Sequence, residues 1–429
     1  MTELAQLLLD LDGAVEAVTE DKALQENMRL FGRYGREAGV EGLRPGNPHK
    51  LSRRKWIERH VRIKDKDGQI VPLVPNAAQR KLEARILRLE RRGVPVRIII
   101  LKGRQKGCST WILACMFWFV CTQAHAKTKV MADTEDKSAG LLLKIQLMLS
   151  KLSYEDGRPW KIKLRNNKTS LIAFEEPICS RIEITSAEGK NPGHSETNDF
   201  VHMTETSRWN ETKTQAEGLL QTLPMRPGTY GFDETTAHGD QGYFRDEFMR
   251  AWNRQQGIVM ENTASEEIAS GAGWFAEFYP WFIHQDYRWT WIHKGQDFPE
   301  RVKKAIESSL TEEEIILLAQ KYLLRGKGWV NVDFDQLAWR RFWISEQMAG
   351  DVARFHEQYP SFVHEAFLAS GSPVFDVAAL RKRLETESTA PTSKCDLYDQ
   401  EGDPLSEHPK SLTQAHIVTG KSISKMRGY

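Results

Sequence analysis

The chain has 429 residues, of which 28% are charged and 40% are hydrophobic, as is ordinary for a soluble globular protein of two or three domains. Its 60 basic and 58 acidic residues leave a formal charge of +2, so any contact with nucleic acid must come from local patches. The five cysteines include no C-x-x-C pair, which argues against a disulfide framework and a structural zinc site.

The N-terminal segment carries acidic residues and no basic region, so it does not have the pattern of a secretory signal. Its leucines at positions 4, 7, 8 and 11 predict an amphipathic helix, and we expect residues 1–55 to form a helical extension. The longest apolar stretch, residues 111–121, is too short to span a bilayer. We therefore expect a cytoplasmic protein with no membrane partner.

Residues 56–81 predict a β-hairpin followed by a helix. Alternating residues at 60–64 and 69–74 flank an acidic turn, and Pro75 with Asn76 then begins a helix that ends near Arg92. This helix carries Gln79, whose amide offers one donor group and one acceptor, the pair that recognition of adenine requires. A surface glutamine is the simpler alternative.

Residues 96–110, VRIIILKGRQKGCST, predict a buried strand, a glycine turn and the start of an apolar helix. This succession is typical of a site for nucleotide phosphates, and we interpret the turn as a P-loop. The usual pattern is G-x-x-x-x-G-K-[ST]. Here Gly103 and Gly107 are only four positions apart, and Cys108 occupies the position of the lysine. Three nearby cations could replace that lysine: Lys102, Arg104 and Lys106.

We expect the whole turn to contact phosphates through its backbone N–H groups and its side chains. Its members are Lys102, Gly103, Arg104, Gln105, Lys106, Gly107, Cys108, Ser109 and Thr110. The alternative for this degenerate pattern is an ordinary turn between a strand and a helix, with solvated basic side chains.

Further along the chain, predicted strands at 128–132, 170–174, 181–186, 199–203 and 229–233 alternate with predicted helices at 136–152, 212–223 and 243–252. This alternation predicts an α/β fold with a mainly parallel sheet flanked by helices. The residues after 262 are rich in aromatic side chains, and they predict a strand at 287–293 and then helices over 300–358.

Two strand ends carry candidate catalytic residues, because active sites of parallel sheets lie at the carboxyl ends of the strands. Glu205 follows the strand at 199–203 and would lie near the P-loop, where a carboxylate can polarise a water molecule. Thr235 and Thr236 follow the strand at 229–233 and could sense a γ-phosphate. Charged or capping residues at the surface are the simpler alternatives for all three.

Taken in order, five segments resemble the ATPase half of the large terminase subunit of tailed bacteriophages, the motor that packages DNA. The segments are RIKDKDGQIVPLVPNAAQRKL, LKGRQKGCST, DFVHMTETSRW, ETTAHGDQGYF and EQYPSFVHEAFLASGSPVFD, within residues 56–376. The resemblance implies a P-loop NTPase fold of the ASCE type with a small helical subdomain. It also implies ATP and Mg²⁺ as cofactors.

The resemblance divides the chain into an extension at 1–55, a P-loop ATPase core at 56–295, a helical subdomain at 296–375 and a linker or tail at 376–429. It implies that Gln79 contacts adenine. Some terminases place the P-loop lysine five residues before the second glycine, which is the position of Lys102. Arg104 would then be a second phosphate contact or an arginine finger acting in cis.

The remaining implied roles concern the metal, the catalytic base and the coupling of hydrolysis to movement. Ser109 would bind Mg²⁺, Glu205 would be the catalytic carboxylate, and Thr235 with Thr236 would form the coupling motif. The family usually has an aspartate before its catalytic glutamate, but this chain has Thr204. A threonine can reach Mg²⁺ only through water and cannot neutralise its charge.

The second half of the family is a ribonuclease-H-like nuclease, and this chain stops at Tyr429, before such a domain would fit. We expect no nuclease activity from this chain, because its C-terminal acids have no predicted strands to organise them: Asp396, Asp399, Glu401 and Asp403. The nuclease would then have been removed or be encoded separately.

The partners implied by the resemblance are double-stranded DNA, a portal protein, a small terminase subunit and further copies of the chain in a pentameric ring on the procapsid, in the host cytoplasm. Two alternatives stay open. One is a helicase-like or translocase-like ATPase that acts outside packaging, and the other is a catalytically dead nucleotide-binding assembly module.

Overall fold

The structure of the chain is a computed structural model that describes residues 52–153, 164–168, 170–176, 178–188, 196–239, 241–255, 273–284, 286–319, 321–324 and 328–367, and the strands within 396–426. The chain divides into two compact units, residues 1–370 and 371–429. The amphipathic helix predicted around residues 4–11 lies outside the described residues.

The strands of the first unit are β1 (Arg62–Lys64), β2 (Ile70–Pro72), β3 (Val96–Lys102), β4 (Lys127–Ala132), β5 (Leu164–Lys168), β6 (Leu171–Phe174), β7 (Arg181–Ser186), β8 (Phe200–Thr204), β9 (Tyr230–Thr235), β10 (Phe275–Tyr279), β11 (Tyr322–Leu324) and β12 (Gly328–Val330). The second unit has β13 (Asp396–Tyr398), β14 (Ala415–Thr419) and β15 (Ser422–Met426).

The described α-helices span Arg53–His60, Ala77–Arg91, Cys108–Thr122, Glu135–Ser150, Thr212–Gln221, Tyr243–Gln255, Trp289–Ile292, Glu300–Glu307, Glu312–Ala319, Phe334–Phe342, Val352–Gln358 and Val363–Ala366. Among the residues that the structure describes, no helix is both long enough and apolar enough to cross a membrane.

Eight strands form one sheet in the order β10-β3-β9-β8-β4-β7-β6-β5. The pairs from β10 to β7 are parallel, and β6 and β5 continue the sheet in antiparallel pairs. The predicted α/β fold with a mainly parallel sheet is therefore confirmed. The hairpin of β1 and β2 is also as predicted.

The strand β3 and the helix Cys108–Thr122 explain why the predicted P-loop has a fixed position. All seven residues of β3 are buried, and nearly every residue of the helix is buried as well. On one face of the sheet, Phe119 packs against Phe200 and Tyr230 with ring centroids 6.0 and 5.4 Å apart. Burial of each such side chain contributes about 1.5–3 kcal/mol to the stability of the fold. Because buried side chains occur along the whole helix, packing against the sheet fixes the position of the helix over its full length.

A buried ion pair holds the helix Ala77–Arg91 against the first described helix. Arg53 Nη2 lies 2.9 Å from Glu83 Oε1, and its Nη1 lies 2.6 Å from Glu90 Oε1. The Tyr230 hydroxyl donates to Glu90 at 2.7 Å, so the network reaches the sheet at β9. The helix that carries Gln79 is thereby fixed at its far end.

The strand predicted at 287–293 is wrong, because Trp289–Ile292 is a short helix and the strand beside β3 is β10. All five residues of β10 are buried, and Pro280 follows the strand directly. A run of aromatic residues has no clear period, so the pattern could not locate this strand.

Two further expectations were wrong in the C-terminal part. The helices predicted over 300–358 are interrupted by the antiparallel hairpin of β11 and β12. The tail, which was expected to lack strands, contains β13, β14 and β15 in an antiparallel sheet of three strands.

We predict that His356 makes part of the stability of this region depend on pH. Its Nε2 lies 2.9 Å from Glu313 Oε1, and Arg340 and Glu365 lie nearby. Burial lowers the pKa of His356, but the hydrogen bond to Glu313 and the negative charges of Glu365 and Glu313 together outweigh burial and raise the pKa above its ordinary value. The stabilisation is therefore complete below the unfolded pKa of 6.5 and is lost as the pH rises through the higher folded pKa.

In urea titrations, His356→Gln should lose about 1 kcal/mol relative to the wild type at pH 6, and the difference should shrink as the pH rises to 8. His238→Gln, which removes an exposed histidine, is the control. A difference between wild type and His356→Gln that is constant from pH 6 to pH 8 would contradict the prediction.

Candidate nucleotide-binding site

The turn between β3 and the helix Cys108–Thr122 has a backbone that only glycine adopts easily at its last position. Gly107 has φ 73° and is the N-cap of the helix. A Cβ atom there would lie 2.7 Å from Gln79 Nε2, far inside van der Waals contact. Gln105 also has a positive φ, 54°. The sequence thus keeps glycine where the loop turns towards its helix.

Gln79 braces this turn. Its Nε2 donates to the Gly107 carbonyl oxygen at 2.9 Å, and its Oε1 accepts from the Asn76 amide at 2.8 Å. Asn76 Nδ2 donates to the Lys106 carbonyl oxygen at 3.0 Å. Only 4% of Gln79 is exposed. The structure therefore places Gln79 against the loop, and its contact with adenine stays a prediction.

Lys102, the last residue of β3, lies between two carboxylates. Its Nζ is 3.3 Å from Glu205 Oε1 and 2.7 Å from Glu234 Oε2. Burial lowers the pKa of Lys102, but Glu234 and Glu205 together outweigh burial and hold the pKa above its ordinary value. The cation that we expected to replace the missing lysine is therefore charged and faces the expected acid.

Glu205 is held in a strained backbone conformation at the end of β8. Its φ of 56° and ψ of 37° are left-handed, which costs a non-glycine residue about 1–2 kcal/mol. Its amide donates to the Glu234 carbonyl oxygen at 2.8 Å. The hydroxyls of Thr235 and Thr236 donate to its Oε2 at 3.4 and 3.2 Å. The two threonines thus touch the proposed base directly.

Glu234 is a residue of this site that the sequence interpretation missed. Its side chain is fully buried, and its Oε1 accepts hydrogen bonds from Ser109 and Thr204, each at 2.6 Å. Burial raises the pKa of Glu234, but Lys102 and His202 outweigh burial and hold the pKa below its ordinary value. A carboxylate next to two threonines at a strand end was a usable signal, but the strand was predicted to end at Asp233.

A cavity of about 580 Å³ opens above these strand ends. It is lined by Lys102, Arg104, Gln105, Ser109, Asp136, Lys137, Gly140, Leu141, Lys144, Thr204, Glu205, Arg208 and Thr236. Five of these side chains are basic and two are acidic, so the cavity suits a polyanion such as a nucleotide phosphate chain. Arg104 and Gln105 are exposed at its edge.

The structure does not bring Lys106 to this cavity. Its Nζ donates to the Trp281 carbonyl oxygen at 2.6 Å and lies 4.5 Å from the centre of the Tyr287 ring. Burial lowers the pKa of its amine well below the ordinary value. Lys106 lines a second pocket of about 270 Å³ together with Pro75, Asn76 and His284.

The other predicted loop residues have mainly structural surroundings. Gly103 is buried, and its amide donates to the Tyr279 carbonyl oxygen at 3.1 Å. Burial raises the pKa of the Cys108 thiol to about 12, so this residue is uncharged at neutral pH. Thr110 is half-buried in the first turn of the helix. Neither Cys108 nor Thr110 lines the cavity.

No family model matches this sequence, and no curated protein matches it. Among solved structures, the chain is similar to the large terminase ATPase domain of Thermus phage P74-26, with 14% identity and a TM-score of 0.32 over 51% of this chain and 85% of that one. It is also similar to the large terminase of bacteriophage HK97, with 12% identity and a TM-score of 0.43 over 81% of this chain and 60% of that one.

A third similar structure is the large terminase of a thermophilic bacteriophage in complex with ADP, with 9% identity and a TM-score of 0.31 over 50% of this chain and 44% of that one. These solved structures are of the family that the five sequence segments resemble. At these identities and TM-scores, the likenesses carry no conclusion about the chemistry of this chain, which rests on its own contacts.

We predict that Gly107→Ala destabilises the protein by about 1–3 kcal/mol, because an alanine must adopt a left-handed φ and its Cβ must displace the Gln79 amide. Urea denaturation measures the change. Gly140→Ala is the control, since its Cβ has open space around it and alanine favours the helix. Equal stabilities of Gly107→Ala and wild type would contradict this account of the loop.

Proposed function

We propose that this chain is the ATPase motor of a large terminase, which hydrolyses ATP and moves double-stranded DNA into a procapsid. The observation that carries the proposal is the position of Lys102 and Glu205, which face each other across 3.3 Å within one basic cavity. The cavity lies at the carboxyl ends of parallel strands, directly beside a glycine turn that begins a helix. This is where P-loop proteins bind and cleave nucleotides.

In the proposed reaction, Lys102 and Arg104 stabilise the negative charge that spreads over the transferred phosphoryl group. Glu205 orients the attacking water and accepts its proton. Ser109 and Thr204 place hydroxyl oxygens at the cavity, and oxygen donors suit Mg²⁺. When bound with the nucleotide, Mg²⁺ would neutralise charge on the phosphoryl oxygens.

Thr235 and Thr236 provide the proposed link between hydrolysis and movement. Both hydroxyls contact Glu205. If Glu205 changed position when the γ-phosphate is lost, these hydrogen bonds would change, and the end of β9 would move with them. For the base of ATP we propose the second pocket, which lies at the N-terminus of the helix that carries Gln79. Contact between Gln79 and adenine would require Gln79 to exchange one of its present hydrogen bonds.

The resemblance of the sequence motifs supports the remaining parts of the proposal. We propose that the chain acts in the host cytoplasm as a pentameric ring docked transiently on a procapsid. A portal protein and a small terminase subunit would be its partners there.

We predict that Lys102→Met and Glu205→Gln each reduce phosphate release by about 10²-fold or more, because each removes charge stabilisation or the base from the transition state. Lys102→Met should also weaken ATP binding, whereas Glu205→Gln should still bind ATP. A phosphate-release assay and a fluorescent-nucleotide titration measure the two effects.

Lys127→Ala is the matched control, since Lys127 begins β4 at the opposite end of the sheet from the cavity. Wild-type turnover in Lys102→Met would show that the loop assignment is wrong. Nucleotide binding by the wild type without any phosphate release would favour the assembly module, and strand separation coupled to hydrolysis would favour a helicase.

We also predict that linear duplex DNA stimulates phosphate release and binds mainly through its phosphates. The logarithm of the affinity for DNA should then fall linearly with the logarithm of the salt concentration. The slope of this line should be about −0.9 for each phosphate that the protein contacts. Fluorescence anisotropy with two unrelated duplexes of equal length tests this. A strong preference for one sequence, or an affinity that is independent of salt, would contradict it.

A further inference from the structure

Glu234 lies on the strand between the one that leads into the P-loop and the one that carries Glu205. In the parallel register, Glu234 is opposite Ile100 of β3 and opposite Thr204 of β8. Residues that are opposite each other in a parallel pair project to the same face of the sheet. The side chains of Thr204 and Glu234 therefore share the face against which the P-loop helix begins.

The contacts of Glu234 connect it to the first turn of that helix. Its Oε1 accepts from Ser109 Oγ and from Thr204 Oγ1, each at 2.6 Å. Its Oε2 lies 2.7 Å from Lys102 Nζ, and His202 Nε2 lies 3.3 Å from Oε1. The Glu234 carboxylate thus contacts Ser109, which is predicted to bind the metal, and Lys102, which is predicted to bind phosphate. It also contacts Thr204, which occupies the position of the family's aspartate.

In P-loop NTPases, Mg²⁺ is held by the Ser or Thr of the loop together with a carboxylate from a strand of the same sheet. Thr204 stands where the family has that acid, and its hydroxyl cannot supply the charge. We propose that Ser109 binds the Mg²⁺ of the nucleotide and that Glu234 supports it through its hydrogen bond to the Ser109 hydroxyl, and so replaces the acid that is missing at position 204. The inference rests on the proposed ATPase function and deepens it.

This arrangement separates the roles of the two carboxylates around Lys102. Glu205 lines the cavity with 20% of its side chain exposed, so it can meet a water molecule. Glu234 is fully buried behind Ser109, Thr204 and Lys102, so it is shielded from the attacking water. Since Mg²⁺ prefers oxygen ligands, the Ser109 hydroxyl would hold it at the cavity, and the negative charge of Glu234 behind that hydroxyl would strengthen the contact.

The test compares nucleotide binding with and without a metal. Mn²⁺ is the probe, because electron paramagnetic resonance detects its binding, and a fluorescent ADP analogue reports the affinity for nucleotide. In the wild type, Mn²⁺ should tighten ADP binding relative to EDTA. In Glu234→Gln, this gain should fall by about 10- to 100-fold, the usual effect of losing a group that supports a metal. Affinity in EDTA should not fall.

Two further variants keep the test decisive. Glu234→Asp retains a negative charge for Lys102 but moves it away from Ser109, so it should also lose most of the gain even if Glu234→Gln fails to fold. Adding Thr204→Asp to Glu234→Gln should restore part of the gain in ADP affinity that Mn²⁺ provides, because the double variant has an acid at the end of the neighbouring strand β8. Lys127→Ala, at the opposite end of the sheet from the cavity, should keep the full gain.

A gain in Glu234→Asp equal to that of the wild type would overturn the inference and leave Glu234 as a counter-ion of Lys102. If the wild type itself binds nucleotide no more tightly with Mn²⁺ than in EDTA, the proposed ATPase function fails instead. The two failures are therefore distinguishable.

Discussion

The site depends on one buried ammonium group. Lys102 ends β3, and its charge is stabilised by carboxylates from the next two strands, Glu234 of β9 and Glu205 after β8. A buried cation without such partners would be costly, and so would the buried Glu234 carboxylate without the cation. The three strand ends are therefore held together electrostatically at the point where the glycine turn begins. A lysine at the usual P-loop position would come from the helix, whereas here it comes from the sheet.

The loop that follows is held from its other side by packing and hydrogen bonds. The Tyr287 hydroxyl donates to the Arg104 carbonyl oxygen at 2.7 Å, and Lys106 binds the carbonyl oxygen of Trp281. Trp281 stacks on Trp339 with ring centroids 5.3 Å apart. The aromatic segment around residues 281–287, which has no clear period in the sequence, thus packs against the loop on the side away from the cavity. Its many rings belong to the packing that fixes the geometry of the proposed phosphate site.

The sequence was most informative where burial is continuous and least informative where polar residues lie inside the sheet. The apolar run of β3 and the apolar helix after it predicted both elements, because nothing but burial explains such runs. The strand β9 was predicted two residues too short, since Glu234 and Thr235 are polar although both are fully buried. Loop spacing likewise could not tell that Lys102 faces the cavity while Lys106 faces away, because that depends on contacts with residues far along the chain.

Glu205 shows what the arrangement of the site requires of the rest of the protein. Its backbone adopts angles that glycine or asparagine would accept more readily, and its side chain lies next to another acid. Stability and the proposed activity therefore make opposite demands on this position. Replacing Glu205 with glycine or asparagine would relieve the left-handed backbone at the end of β8, but it would also remove the carboxylate that faces Lys102.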